Sequence, residues 1–143
     1  MIRVKVDEKK IKAAIREKIR EYRKAHEKGL FAAGVEIGFL ALTVEPFMPI
    51  EHGDLVGSLL IWTTKTRQVR ADAKATPSTA GVGPDSVFVG NLVEYAGYLH
   101  EGSHWISRFT GRPVSSIGPF WISSKVEKFP LLIEEAYKQG AGF

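Results

Sequence analysis

The stretch DEKKIKAAIREKIREYRKAHEKGLFAAGVEIGFLALTV (7–44) decides the fold. Ile11, Ile15, Ile19, Tyr22, His26, Leu30, Ala33 and Ile37 recur at steps of three or four. At 3.6 residues per turn that spacing lays one apolar stripe along a helix. Lys9, Lys12, Arg16, Arg20, Arg23 and Lys24 fall mostly off the stripe. Asp7 stands where an N-cap belongs, and Glu8 suits the positive end of the helix dipole. The pattern runs to about Leu42, and Pro46 and Pro49 end it. A helix over 8–42 is about 50 Å long. That is long for a small domain, so it either kinks or projects towards a partner. Gly29, Gly34 and Gly38 each cost about 1 kcal/mol against Ala in a helix. Close approach of another element is the usual compensation, and Gly29 is the expected kink.

Around this helix the chain has the size of one domain, 143 residues, with 44% hydrophobic and 25% charged residues. That composition excludes disorder of the whole chain. Absence of cysteine excludes disulfides, thiolate metal sites and thiol nucleophiles. The net charge of +4 is uneven. Residues 1–28 hold eleven Lys and Arg against five acids, and the remainder sums to −2. Such a basic helix marks either a solvated face, since Glu17, Glu21 and Glu27 are interspersed, or contact with nucleic acid or an anionic surface. Arg16, Arg20 and Arg23 are expected on a protein-facing or solvent face. The apolar run 29–44 contains Glu36 and is shorter than the ~20 residues a membrane span needs, so a buried helix half is expected and no membrane role.

Residues 2–6, IRVKV, alternate apolar and basic and read as a short strand. Residues 45–60 read as a turn-rich connector entering a strand, LLIWTT (59–64). Arg67–Ala75 is its expected partner, and VFVGN (87–91) is another strand. Two loops follow from composition, 75–86 and 108–118. Loops of that length are usually functional or mobile, and Thr76, Pro77, Gly81, Gly83, Arg108 and Arg112 in them are candidate inter-subunit contacts. Pro119 suits the first turn of a C-terminal helix over about 119–139, interrupted at Pro130. The expected architecture is α+β: a single domain, 1–143, in which the long N-terminal helix packs with the C-terminal helix on a small antiparallel sheet, the sheet and its loops occupying 55–118.

HEGSH (100–104) fits H-E-x-x-H, in which two histidines one helical turn apart bind zinc and the glutamate acts on bound water. A small zinc metallopeptidase using His100, Glu101 and His104 is therefore one functional reading, with Glu127 as the only nearby downstream acid. Gly102 and Ser103 inside the would-be ligand helix argue against it. The other reading is a turn in which one histidine packs or caps. No phosphate-binding loop, dinucleotide fingerprint or nucleophile elbow occurs. Trp62, Trp105 and Trp121 with Tyr95 and Tyr98 are read as core in preference to base-stacking platforms.

The stretch VFVGNLVEYAGYLHEGS (87–103) resembles the signature of a bacteriophage tail-component family, the tail-completion and tail-terminator proteins of long-tailed phages. Val89-Gly90, Tyr95-Ala96, Tyr98-Leu99 and Glu101-Gly102 match its recurring element. Pro49, Gly53, Leu55 and Ser58 match an upstream connector, and Gly118-Pro119-Phe120 match the start of its last helix. The resemblance runs through nearly the whole chain. Ser103 and His104 depart from the usual Thr, and Pro130 breaks a normally unbroken helix. The family implies a structural virion protein of the neck or tail, present in the host cytoplasm during assembly. It would complete or terminate the tail, or join it to the head, as a subunit of a ring that is commonly six-fold. Its partners would be further copies, head–tail connector and tail tube proteins, with DNA only as passing cargo. No reaction, catalytic residue, metal or cofactor is implied. A third functional reading is a nucleic-acid-binding module working through residues 3–28.

Overall fold

The carboxylate of Asp7 caps the first helix as its position requires: the N–H groups of Lys9 and Lys10 donate to its Oδ1 at 3.0 and 3.3 Å. In this computed structural model the described residues are 3–48, 57–69, 82–91, 100, 105–106, 113–114 and 120–143. Helix α1 runs unbroken from Glu8 to Thr43, 36 residues. Among the described residues five short strands follow: β1 (Leu59–Trp62), β2 (Arg67–Val69), β3 (Phe88–Asn91), β4 (Trp105–Ile106) and β5 (Pro113–Val114). Two helices, α2 (Ser123–Lys128) and α3 (Pro130–Ala141), close the chain. The fold is α+β, with the long helix packed against the C-terminal helix and antiparallel sheet.

β1 is the central strand of three, in the order β2-β1-β3, antiparallel on both sides. Its register pairs Leu60 with Val69 on one side and with Gly90 on the other. β4 and β5 form a separate two-stranded antiparallel pair. Leu59, Leu60 and Ile61 are all buried, a continuous apolar run suited to a strand covered on both faces. Leu59 and Ile61 face α1, where Gly38 and Gly34 lie against them. A Cβ on Gly34 would lie 2.7 Å from side-chain atoms of Ile61 and Val87. The core joins Ala33, Ile37, Leu40 and Ala41 of α1 to Met48, β1 and Trp121. The Trp121 Nε1–H donates to Asn91 Oδ1 at 3.3 Å, and Asn91 Nδ2 donates to Met48 Sδ at 3.4 Å.

Several expectations are corrected. Gly29 is no helix break; it is buried inside α1, and the ring of Tyr137 lies against it. Residues 3–7 form no strand. The C-terminal helix does not begin at the 119–120 step, because Phe120 has φ 60°, a left-handed conformation that cannot continue into a right-handed turn. Phe120 N donates to the His100 carbonyl and Ser124 N donates to the Phe120 carbonyl, so the chain bends there and α2 starts at Ser123. Pro130 separates two helices and does not merely interrupt one. It takes the first position of α3, where its missing N–H costs nothing. α3 runs to Ala141 and ends on Gly142 in the left-handed conformation (φ 80°). Within the expected loop 108–118, Pro113 and Val114 form a strand.

Candidate functional site

The apolar stripe of α1 is used along only half its length. Ala33, Ile37 and Leu40 are 6%, 7% and 4% exposed. On the same stripe, towards the N-terminus, Ile11, Ile15, Ile19 and Tyr22 are 46%, 54%, 46% and 58% exposed. Every residue from 8 to 24 is exposed. The core face thus continues as an arm beyond the body. Arg16, Arg20 and Arg23 lie on it as expected, exposed, with Arg20 paired to Glu17 at 3.1 Å.

Beside the arm runs an open groove of about 1020 Å³. Ile15, Lys18, Ile19, Tyr22 and Arg23 form one wall, and Thr64, Lys65, Pro84 and Asp85 the other. Its inner end is fastened by two polar nodes. Glu27 accepts from the hydroxyl of Thr63 through a short contact, from Thr64 Oγ1 at 3.3 Å and from the Lys65 N–H at 3.3 Å. That ties α1 to the β1–β2 turn. His26 forms the second node: its Nε2 is 2.9 Å from Asp85 Oδ1 and its Nδ1 is 2.6 Å from the Tyr137 hydroxyl. The pairing assigns the tautomer, Nε2–H donating to the carboxylate and Nδ1 accepting from the phenol. Tyr22 stacks on the His26 ring, and Phe143 stacks on Tyr22.

A carboxylate, an imidazole and a hydroxyl in a row have the outline of a nucleophilic triad. Burial, then the nearby Tyr22 and Asp85, push the Tyr137 phenol above its ordinary pKa of 10. In the fold the node is a clasp joining α1, the segment before β3, and α3.

His100 both packs and caps. Its ring lies edge-on to Phe120 and Trp121, with centroids 5.8 and 4.8 Å apart. Its Nε2 accepts from the N–H groups of Ile122 and Ser123 at 3.2 and 3.4 Å. Those are first-turn donors of α2 that have no partner inside the helix. Glu101, Gly102 and His104 lie outside the described residues. Among the described residues no three His, Asp or Glu side chains gather as a metal site, and no helix is long and apolar enough to cross a membrane.

Of the residues carrying the family resemblance, Gly90 is buried in β3 opposite Leu60, Ser58 is buried, and Phe120 makes the bend before α2. Tyr95, Ala96, Tyr98 and Pro119 are outside the described residues, as are Thr76, Pro77, Gly81, Arg108 and Arg112. Gly83 is exposed, and its carbonyl accepts from Ser86 N at 3.2 Å. Trp121 is core at 1% exposure. Comparison with known proteins finds no family model, no curated protein and no solved structure that matches the chain.

Two features have no local sequence signal. Nothing near His26 pairs it with residues 85 and 137. Lys125, a charged residue between Ser124 and Val126, is fully buried. Its Nζ donates to the Pro46 carbonyl at 2.8 Å and to Ser124 Oγ at 3.3 Å. Burial, with Lys128 adding repulsion, lowers its pKa to about 8.

Proposed function

We propose that the chain is a structural subunit of a phage tail or neck, one of a ring that completes or terminates the tail or joins it to the head. One observation supports an assembly role above others: four large apolar side chains on the arm of α1 stand about half exposed in line with the core stripe. Burying the exposed half of each isoleucine would stabilise an assembly by about 1 kcal/mol apiece. An exposed helical arm of this length is marginal by itself in water, so a covering partner suits it. The resemblance of residues 87–103 to tail-completion proteins supplies the kind of assembly.

Light scattering on the purified protein, followed by electron microscopy of negatively stained particles, tests this reading. Closed rings of uniform copy number are expected. A chain that stays monomeric at every concentration and does not join purified tails contradicts it.

A further inference from the structure

α1 carries two uncovered apolar ridges of the same pitch. Ile11, Ile15 and Ile19 are four residues apart and about half exposed. Val35 and Phe39 are also four apart, 42% and 57% exposed, with exposed Thr43 continuing the row. The first ridge shares the face that the body buries further along. The second lies on the C-terminal half, about 100° round the helix from the face that Gly34 and Gly38 present to β1. Rows spaced by four interdigitate with one another at about −50°, the commonest crossing of packed helices.

The two ridges differ in charge, with Lys28, seven residues before Val35, the one base on the row of the second. At 3.6 residues per turn, Lys12, Arg16 and Arg23 border one edge of the first ridge and Lys18 the other. Of the three acids of the arm, Glu17 and Glu21 are engaged with Arg20 and Lys18 at 3.1 and 3.3 Å, and Glu8 lies in the first turn at the helix's N-terminal end. Among the described residues Lys12, Arg16 and Arg23 enter no ion pair, and their charge is open to a partner. From Gly29 to Thr64 the sequence has no Lys or Arg and four acids, Glu36, Glu45, Glu51 and Asp54. Glu36 sits between Val35 and Phe39 in sequence, and exposed Glu45 follows the helix end. Pairing two arms would bring cation against cation, so a symmetric arm-to-arm contact is disfavoured.

We infer that the basic N-terminal ridge of α1 (Ile11, Ile15, Ile19) docks on the acidic C-terminal ridge of α1 (Val35, Phe39) in a second copy of this chain. The inference rests on the ring reading above and names its interface. The surfaces are different and do not overlap, so each copy gives one and receives one. Such a head-to-tail contact makes a ring when it closes.

Charge reversal tests it, using the full chain. One variant carries Lys12→Glu, Arg16→Glu and Arg23→Glu; the other carries Glu36→Lys and Glu45→Lys. Each alone sets like charges at every interface and is expected to stay monomeric with the helical circular dichroism of the wild type. Mixed in equal amounts, the two alternate with complementary charge at each mixed interface, so assembly returns, at the mass of the wild type for a ring of even copy number. Should Glu36→Lys lose helix signal, Phe39→Lys with Glu45→Lys, both exposed positions, takes its place. A wild-type ring whose variants assemble alone, or whose mixture stays monomeric, overturns this interface and leaves the ring reading standing. Salt-dependent duplex DNA binding that the arm variant abolishes without changing assembly also overturns it, in favour of nucleic acid on the arm. A wild type monomeric throughout removes both.

Discussion

Tyr137 lies so close to Gly29 that a Cβ on the glycine would sit 2.7 Å from its ring carbons and 2.9 Å from its carbonyl oxygen. α3 is seated on α1 through this absence of a side chain. Gly29→Ala should therefore destabilise the protein by about 1–3 kcal/mol from overpacking, less the ~1 kcal/mol that Ala gains in a helix. Gly38→Ala, whose Cβ would meet Leu59 at an ordinary 3.4 Å, should be neutral or mildly stabilising. Urea unfolding of the two variants checks the pair. Equal stabilities would mean that α3 shifts freely on α1.

The His26 clasp predicts a coupling. Tyr137→Phe removes the phenol that donates to Nδ1 at 2.6 Å and should cost about 1 kcal/mol. Once His26→Leu has removed the acceptor, the same change should cost little. A double-mutant cycle reads the difference. Additive effects would show that the hydroxyl and the imidazole contribute independently.

His100 predicts a cap. His100→Ala removes the acceptor of the Ile122 and Ser123 N–H groups and should destabilise the protein by roughly 1 kcal/mol, the usual scale for a lost N-terminal cap. The purified wild type should hold no stoichiometric zinc. One zinc per chain by elemental analysis, lost in His104→Ala, would reverse this.

The long helix was legible because it is a period: eight stripe positions agree, and a cap and two prolines bound them. β1 and β3 were legible from apolar, β-branched runs between turn residues. The stripe did not show where its cover stops, because Ile15 and Ile37 have the same spacing and only the chain folded over the second one separates them. The start of α2 was misplaced because Pro119 is a good opening residue locally, while the bend at Phe120 answers to the His100 carbonyl twenty residues away. The Asp85–His26–Tyr137 row is a product of tertiary folding, and single-sequence spacing holds no trace of it.

Lys125 gives the protein a pH signature. Its native amine releases its proton near pH 8, while the unfolded amine holds it to about 10.5. Between those values the unfolded state binds more protons, so stability should rise with pH, by up to about 3 kcal/mol across the window. Tyr137 acts oppositely above pH 10, where the unfolded phenol ionises first and stability falls. Unfolding midpoints from pH 7 to 11 should pass through a maximum near 10. In Lys125→Met the rise between 8 and 10 should vanish. A wild type whose stability is flat over that interval would contradict the buried amine.

The exposed ridge separates folding from assembly. Ile15→Asp with Ile19→Asp places two carboxylates on a surface already about half in water. Neither residue reaches the core, so the monomer should lose no more than about 1 kcal/mol. Ile37→Asp, at a core position of the same stripe that is 7% exposed, buries an unpaired carboxylate and should prevent folding. The arm pair should abolish assembly with its helical circular dichroism retained, because the ridge then meets the acids of a neighbour with like charge and no apolar contact. Sedimentation velocity reads the outcome. A double variant that assembles as the wild type does would mean that the ridge is solvent-facing in the ring, and that other surfaces hold the subunits together.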